Sequence, residues 1–179
     1  MSKRLYVAYG SNLNIQQMAS RCPGAKLYGT GVIENFELQF KGQPHGAFAT
    51  IAPKDGASVP VAVWEISKRN EQALDRYEGY PSHYFKQDVP VQLDGKEVTA
   101  MVYVMNLKMD FGLPAPYYYD VVREGYEDCG LDPPPWSRRS ERVPRSFTAL
   151  IGRTKSPSFV LKAMQNRTRT NWRKMTIRI

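Results

Sequence analysis

Apolar and polar positions alternate from Arg4 to Ala8, a period of two that predicts a short strand. The turn-forming run Gly10-Ser11-Asn12 ends it at once. Leu13, Gln16, Gln17, Met18 and Ala19 then read as a short helix, capped by Ser11 or Asn12 and stopped before Pro23-Gly24. Strand, tight polar loop and helix start therefore follow in immediate succession. Residues 26–40, 47–53 and 59–66 are each rich in Val, Ile, Phe, Tyr or Trp and separated by Gly, Pro or Asp, which predicts three strands of a mostly antiparallel sheet. Ser67 is placed to cap a helix running to about Tyr77, with Glu71, Ala73, Leu74 and Tyr77 as its inward stripe and Gly79 as its terminator. Further on, residues 84–93 and 98–105 flank Asp94-Gly95, a pair that accepts positive φ and so predicts a two-residue hairpin turn. Tyr118, Val121, Val122, Gly125 and Tyr126 recur at helical spacing after Pro114 and Pro116, and Gly130 can close that helix.

Beyond Asp132 the periodicity dissolves into Pro, Arg, Ser and Thr, so a domain over residues 1–132 and an extension over 133–179 are expected. Charge sharpens this division. The extension holds twelve Lys/Arg against the single acid Glu141, +11, whereas the first 132 residues hold thirteen basic and sixteen acidic side chains, −3, for +8 over the chain. Such a tail could neutralise phosphates, with Trp136 and Trp172 to stack on bases, but it carries no recognised nucleic-acid motif; the plainer expectation is a solvated, flexible extension. At 179 residues, with 42% apolar and 23% charged residues, the chain suits one well-buried core. No run reaches the roughly 18 apolar residues of a membrane-spanning helix. The opening Met-Ser-Lys-Arg-Leu-Tyr lacks the apolar core of a signal peptide, which points to a cytoplasmic protein. Cys22 and Cys129 lack zinc-type spacing and read as reduced structural thiols.

Two places could carry chemistry. A strand that delivers Tyr9-Gly10-Ser11-Asn12-Leu13 to a helix start presents backbone N–H groups suited to a carboxylate or phosphate oxygen; by pattern alone the plainer reading of the same residues is a turn with a cap. With no GxGxxG and no Walker lysine, nothing there predicts a nucleotide cofactor. Glu78 follows Tyr77 at a helix end and precedes Gly79 and Tyr80, where partial desolvation would raise its pKa towards neutrality; alternatively it is a solvated helix-terminal acid. His45 and His83 lack a spaced partner acid or nucleophile and are expected to stay outside the chemistry. The tyrosines of Pro116-Tyr117-Tyr118-Tyr119 read by themselves as core.

Taken together, Tyr9-Gly10-Ser11-Asn12-Leu13, Arg21-Cys22-Pro23-Gly24-Ala25, Leu74-Asp75-Arg76-Tyr77-Glu78-Gly79 with Tyr84, and the stretch from Pro116 to Gly125 resemble the gamma-glutamyl cyclotransferase, or AIG2-like, family in order and spacing over about residues 4 to 130. The resemblance implies an α+β fold, a small twisted barrel of mostly antiparallel strands flanked by helices, with a pocket at its mouth. It implies that Gly10, Ser11, Asn12 and Leu13 hold a glutamyl group through backbone groups, that Tyr9, Tyr84 and Tyr118 line the pocket, and that Glu78 is the catalytic carboxylate. A one-residue slip among the adjacent tyrosines would exchange Tyr118 for Tyr117 or Tyr119. The implied reaction is cyclisation of a γ-glutamyl amide to 5-oxoproline, with a small γ-glutamyl compound as partner and neither metal nor organic cofactor. The competing class is a binding or regulatory protein with the same pocket and no turnover; retention of Glu78 favours the enzyme.

Overall fold

Strands that are apolar on both faces need cover on both sides, and this protein meets the requirement by closing its sheet into a barrel whose outer wall is partly roofed by helices. The computed structural model describes residues 3–106 and 108–132. The expected extension, its nucleic-acid reading and all but the edge of the boundary near Asp132 lie outside the described residues.

The barrel order is β1-β3-β2-β4-β5, from β1 (Lys3–Ala8), β2 (Lys26–Lys41), β3 (Phe48–Ser67), β4 (Tyr84–Leu93) and β5 (Lys96–Met105). All ladders are antiparallel except β1 with β5, where Tyr6 pairs with Met101 and Val7 with Val102. The hairpin predicted at Asp94-Gly95 joins β4 to β5: Leu93 faces Lys96, and both turn residues have positive φ, 44° and 78°. Two segments expected as separate strands are one. The pairing of β2 with β3 runs on either side of Asn35, and residues 54–57 bulge out opposite it, held by the Gly56 N–H donating to Asn35 Oδ1 at 3.0 Å. The polar Lys54-Asp55-Gly56 run is thus a bulge and not a hairpin loop, because the strand pairing resumes on its far side.

Alternation along the strands divides the core in two. Val7, Ile33, Ile51, Val61, Val63 and Val102 fill the barrel, while Tyr6, Ala62, Trp64, Ile66 and Met101 point outward against Leu13, Met18, Leu74, Val122 and Tyr126. These last five belong to the helical cover: a 3₁₀ turn (Ser11–Leu13), α1 (Ile15–Arg21), α2 (Lys68–Glu78) and α3 (Pro116–Asp128). Ser67 caps α2 as expected, in a capping box with Asn70, and Gly79 ends it in the left-handed conformation at φ 66°. The expected cap of α1 is corrected. Asn14 accepts the Gln17 N–H at 2.9 Å, because the intervening 3₁₀ turn moves the helix start three residues on; Ser11 and Asn12 are left free of that duty.

Candidate active site

β1 runs out at Ala8 and hands the chain to Tyr9 and Gly10 at the rim of the barrel. A side chain at Gly10 would put its Cβ 3.1 Å from the Tyr118 hydroxyl and 3.2 Å from Ala49 Cβ, so the close approach of the loop to α3 and β3 leaves little room for one. The 3₁₀ turn follows, using the Leu13 N–H on Gly10 O (2.9 Å) and the Asn14 N–H on Ser11 O (3.3 Å). From behind, α3 presses the turn forward: a Cβ at Gly125 would come within 2.6 Å of both Asn14 N and Leu13 Cβ.

The side chains that this loop presents meet the end of α2. Asn12 Nδ2 donates to Glu78 Oε1 at 3.0 Å and to the Tyr6 hydroxyl at 2.7 Å. Arg21, in the last turn of α1, donates from Nη1 to Asn12 Oδ1 (2.5 Å) and Ser11 Oγ (3.0 Å), and from Nη2 to Gln17 Oε1 (2.6 Å). Its guanidinium lies 3.8 Å from the centre of the Tyr77 ring. Glu78 keeps some solvent exposure, yet protein surrounds its carboxylate, and burial pushes its pKa up to about 7 against the smaller opposing pull of Arg21 and the Asn12 hydrogen bond. Its place at the negative end of the α2 dipole acts in the same direction as burial.

Tyrosines make up much of the remaining wall. The Ala49 backbone clamps two of them: its N–H donates to the Tyr118 hydroxyl at 3.2 Å, and its carbonyl accepts from the Tyr84 hydroxyl at 2.9 Å. The Tyr9 hydroxyl donates to the Tyr103 carbonyl at 2.5 Å. Burial raises the pKa of Tyr6, Tyr9, Tyr84, Tyr103 and Tyr118, so all five stay neutral around the single carboxylate.

The resulting slot has a volume of about 30 Å³ and is lined by Tyr9, Gly10, Ser11, Asn12, Tyr84, Tyr118 and Glu78, together with Tyr6, Ala49 and Tyr103. Of the residues singled out from sequence, Leu13 does not reach it: its side chain is fully buried in the core and its N–H is spent on the turn. Among the adjacent tyrosines it is Tyr118 whose hydroxyl enters the slot, while Tyr117 is 39% exposed. Neither His45 nor His83 lines it. Sequence reasoning overlooked Tyr6, Ala49 and Tyr103. Tyr6 shares with Ala8 the strand face that packs against the helical cover, and the alternation along β1 marks that face; the other two enter through strand pairings that no local signal announces. Among the described residues, no group of three or more His, Cys, Asp or Glu is placed to hold a metal ion, and no helix is long and apolar enough to cross a membrane.

Residues 6–120, which include every residue lining the slot, match the family described as gamma-glutamyl cyclotransferase, AIG2-like. The chain belongs to that family. The gamma-glutamylcyclotransferase of Bos taurus is 34% identical over 140 residues, 71% of this chain and 72% of that one. The Homo sapiens gamma-glutamylcyclotransferase is 33% identical over 136 residues, with the same two coverages. A solved structure of a gamma-glutamyl cyclotransferase superposes with a TM-score of 0.69 at 30% identity, over 78% of this chain and 86% of its own. The closed five-stranded barrel with three helices is the fold of this family, and the protein is an enzyme of the gamma-glutamylcyclotransferase type.

Proposed function

We propose that the enzyme cyclises a small γ-glutamyl amide to 5-oxoproline and releases the amine, with Glu78 as the group that moves the protons. One observation carries this reading: the carboxylate at the slot is held by Asn12 and has a pKa of about 7, so both of its protonation states are populated at neutral pH.

The substrate supplies its own nucleophile. Its α-amino nitrogen attacks its γ-carbonyl carbon, a C–N bond forms to close a five-membered ring, and the C–N bond to the departing amine breaks. Two protons leave the attacking ammonium and two reach the departing nitrogen, so the count balances with no external acid or base. Glu78 accepts a proton in its charged form and returns it in its neutral form, a role worth about 10² to 10⁴ in rate. The 3₁₀ turn uses the N–H groups of Leu13 and Asn14 and leaves those of Gly10, Ser11 and Asn12 unclaimed by the turn itself. These are the donors we assign to the substrate carboxylate or to the oxyanion that develops as nitrogen attacks. The five neutral tyrosines keep competing charge away from that centre and hold the folded substrate, which supplies orientation.

The test is to incubate the enzyme with a panel of γ-glutamyl amino acids and γ-glutamylamines and to measure 5-oxoproline. Turnover of at least one member, lost by a factor of about 10² or more in Glu78→Gln, is expected. No product across the panel would favour the binding-protein reading, and undiminished turnover in Glu78→Gln would remove Glu78 from the mechanism.

A further inference from the structure

The orientation of the Asn12 amide is decided by its neighbours. Arg21 has only donors to offer, so the Asn12 atom facing its Nη1 must be the oxygen. That leaves Nδ2 to face Tyr6 and Glu78. A flipped amide would set an N–H₂ group against the guanidinium and an oxygen against the carboxylate, two mismatches at once. Arg21 is itself held, by Gln17 one helical turn earlier, by Ser11 and by the Tyr77 ring beneath it.

We propose that Arg21 is a positioning residue for Glu78, fixing the Asn12 amide with Nδ2 towards the carboxylate and supplying a positive charge that favours its ionised form. The inference deepens the reading in which Glu78 titrates during turnover. The titratable groups that feel the Glu78 charge come from every side of the slot: Tyr6 from β1 with Tyr9 just beyond it, Arg21 and Cys22 at the end of α1, Tyr77 beside it on α2, Tyr84 on β4, Tyr103 on β5 and Tyr118 on α3. The tyrosines and Cys22 are all pushed up by burial and stay neutral near pH 7, so Arg21 is the cation of this group. It acts on Glu78 twice, through charge and through the amide that it orients, and both effects favour the ionised form.

Two variants of the full-length protein separate these effects. Arg21→Gln removes the charge and keeps an amide able to donate to Asn12. Arg21→Lys keeps the charge and loses the planar fork that spans Ser11, Asn12 and Gln17. The Glu78 carboxyl is followed by infrared difference titration, its band assigned by loss in Glu78→Gln, and kcat and KM are measured across pH in parallel. In Arg21→Gln the Glu78 midpoint and the acid limb of the rate profile should both rise by roughly one pH unit or more. In Arg21→Lys the midpoint should stay near that of the wild type while kcat falls several-fold with little change in KM. An unmoved midpoint in Arg21→Gln overturns the proposal, as does an activity loss in Arg21→Gln with an unmoved pH profile. Should Arg21→Gln not fold, an unchanged kcat in Arg21→Lys overturns it alone. Because the infrared midpoint is read without turnover, a failure of Glu78 as proton carrier, seen as an active Glu78→Gln, is distinguishable from a failure of Arg21.

Discussion

Removing the charge of Glu78 should cut turnover by a factor of about 10² or more and stabilise the fold, the latter in a pH-dependent way whose size can be worked out. The fold raises the carboxyl from its ordinary 4.5 to about 7, mainly through burial. Below pH 4.5 the group is protonated in both folded and unfolded chains and costs nothing. As pH rises from 4.5 to 7 the unfolded chain ionises first, so stability is lost across this window and levels off above 7. The gap is worth about 3 kcal/mol, since each pH unit corresponds to about 1.4 kcal/mol. In Glu78→Gln the amide oxygen can still accept from Asn12 Nδ2, while its N–H₂ group needs new partners in a tight slot, which trims the expected gain to about 2 kcal/mol at pH 8. Urea denaturation at pH 4, 6 and 8, followed by tryptophan fluorescence, measures this directly. Thermal unfolding should show the same trend, with the variant melting roughly 4–8 °C higher at pH 8. The reasoning is refuted if Glu78→Gln is no more stable than the wild type at pH 8, or if its advantage does not vanish on acidification to pH 4.

Three further outcomes follow from the same geometry. For the cyclisation, kcat/KM should rise with pH through a midpoint near 7 as Glu78 loses its proton; a flat profile between pH 5.5 and 8 would contradict its role as base. Gly125→Ala should destabilise the protein by about 1–3 kcal/mol in denaturant titrations, because its Cβ collides with Leu13 and Asn14, and should lower kcat through the displaced 3₁₀ turn. Ser67→Ala, which breaks the capping box of α2 (Ser67 Oγ accepting the Asn70 N–H at 3.2 Å), should cost about 1 kcal/mol, seen as a lower urea midpoint.

Signals confined to a few neighbouring residues were legible in the sequence. Asp94-Gly95 makes its hairpin, and Ser67 and Gly79 bound α2, because turn and cap preferences are short-range steric and hydrogen-bonding properties. The start of α1 was not decided locally: Ser11, Asn12 and Asn14 are all good caps, and the intervening 3₁₀ turn, against which Gly125 packs, leaves the task to Asn14. The strand break expected between 53 and 59 is likewise a bulge, since cross-strand pairing with β2 outweighs the local preference of Lys54-Asp55-Gly56 for a turn.

The site divides along the same line. Its residue types, the Tyr9 to Asn12 loop and Glu78 could be read from order and spacing along the chain. Their meeting could not: Asn12 and Glu78 are 66 residues apart, and Tyr103 reaches the slot because β1 and β5 close the barrel in parallel. Ionisation behaviour belongs to the tertiary structure as well. A carboxyl beside aromatic residues in sequence is either solvated or desolvated, and its rise to about 7 exists only once the 3₁₀ turn, α2, α3 and the barrel rim withdraw water from it. Short-range preferences along the chain therefore determined the elements and the chemistry available, whereas closure of the sheet, a long-range and collective event, decided which groups meet and how strongly their charges are felt.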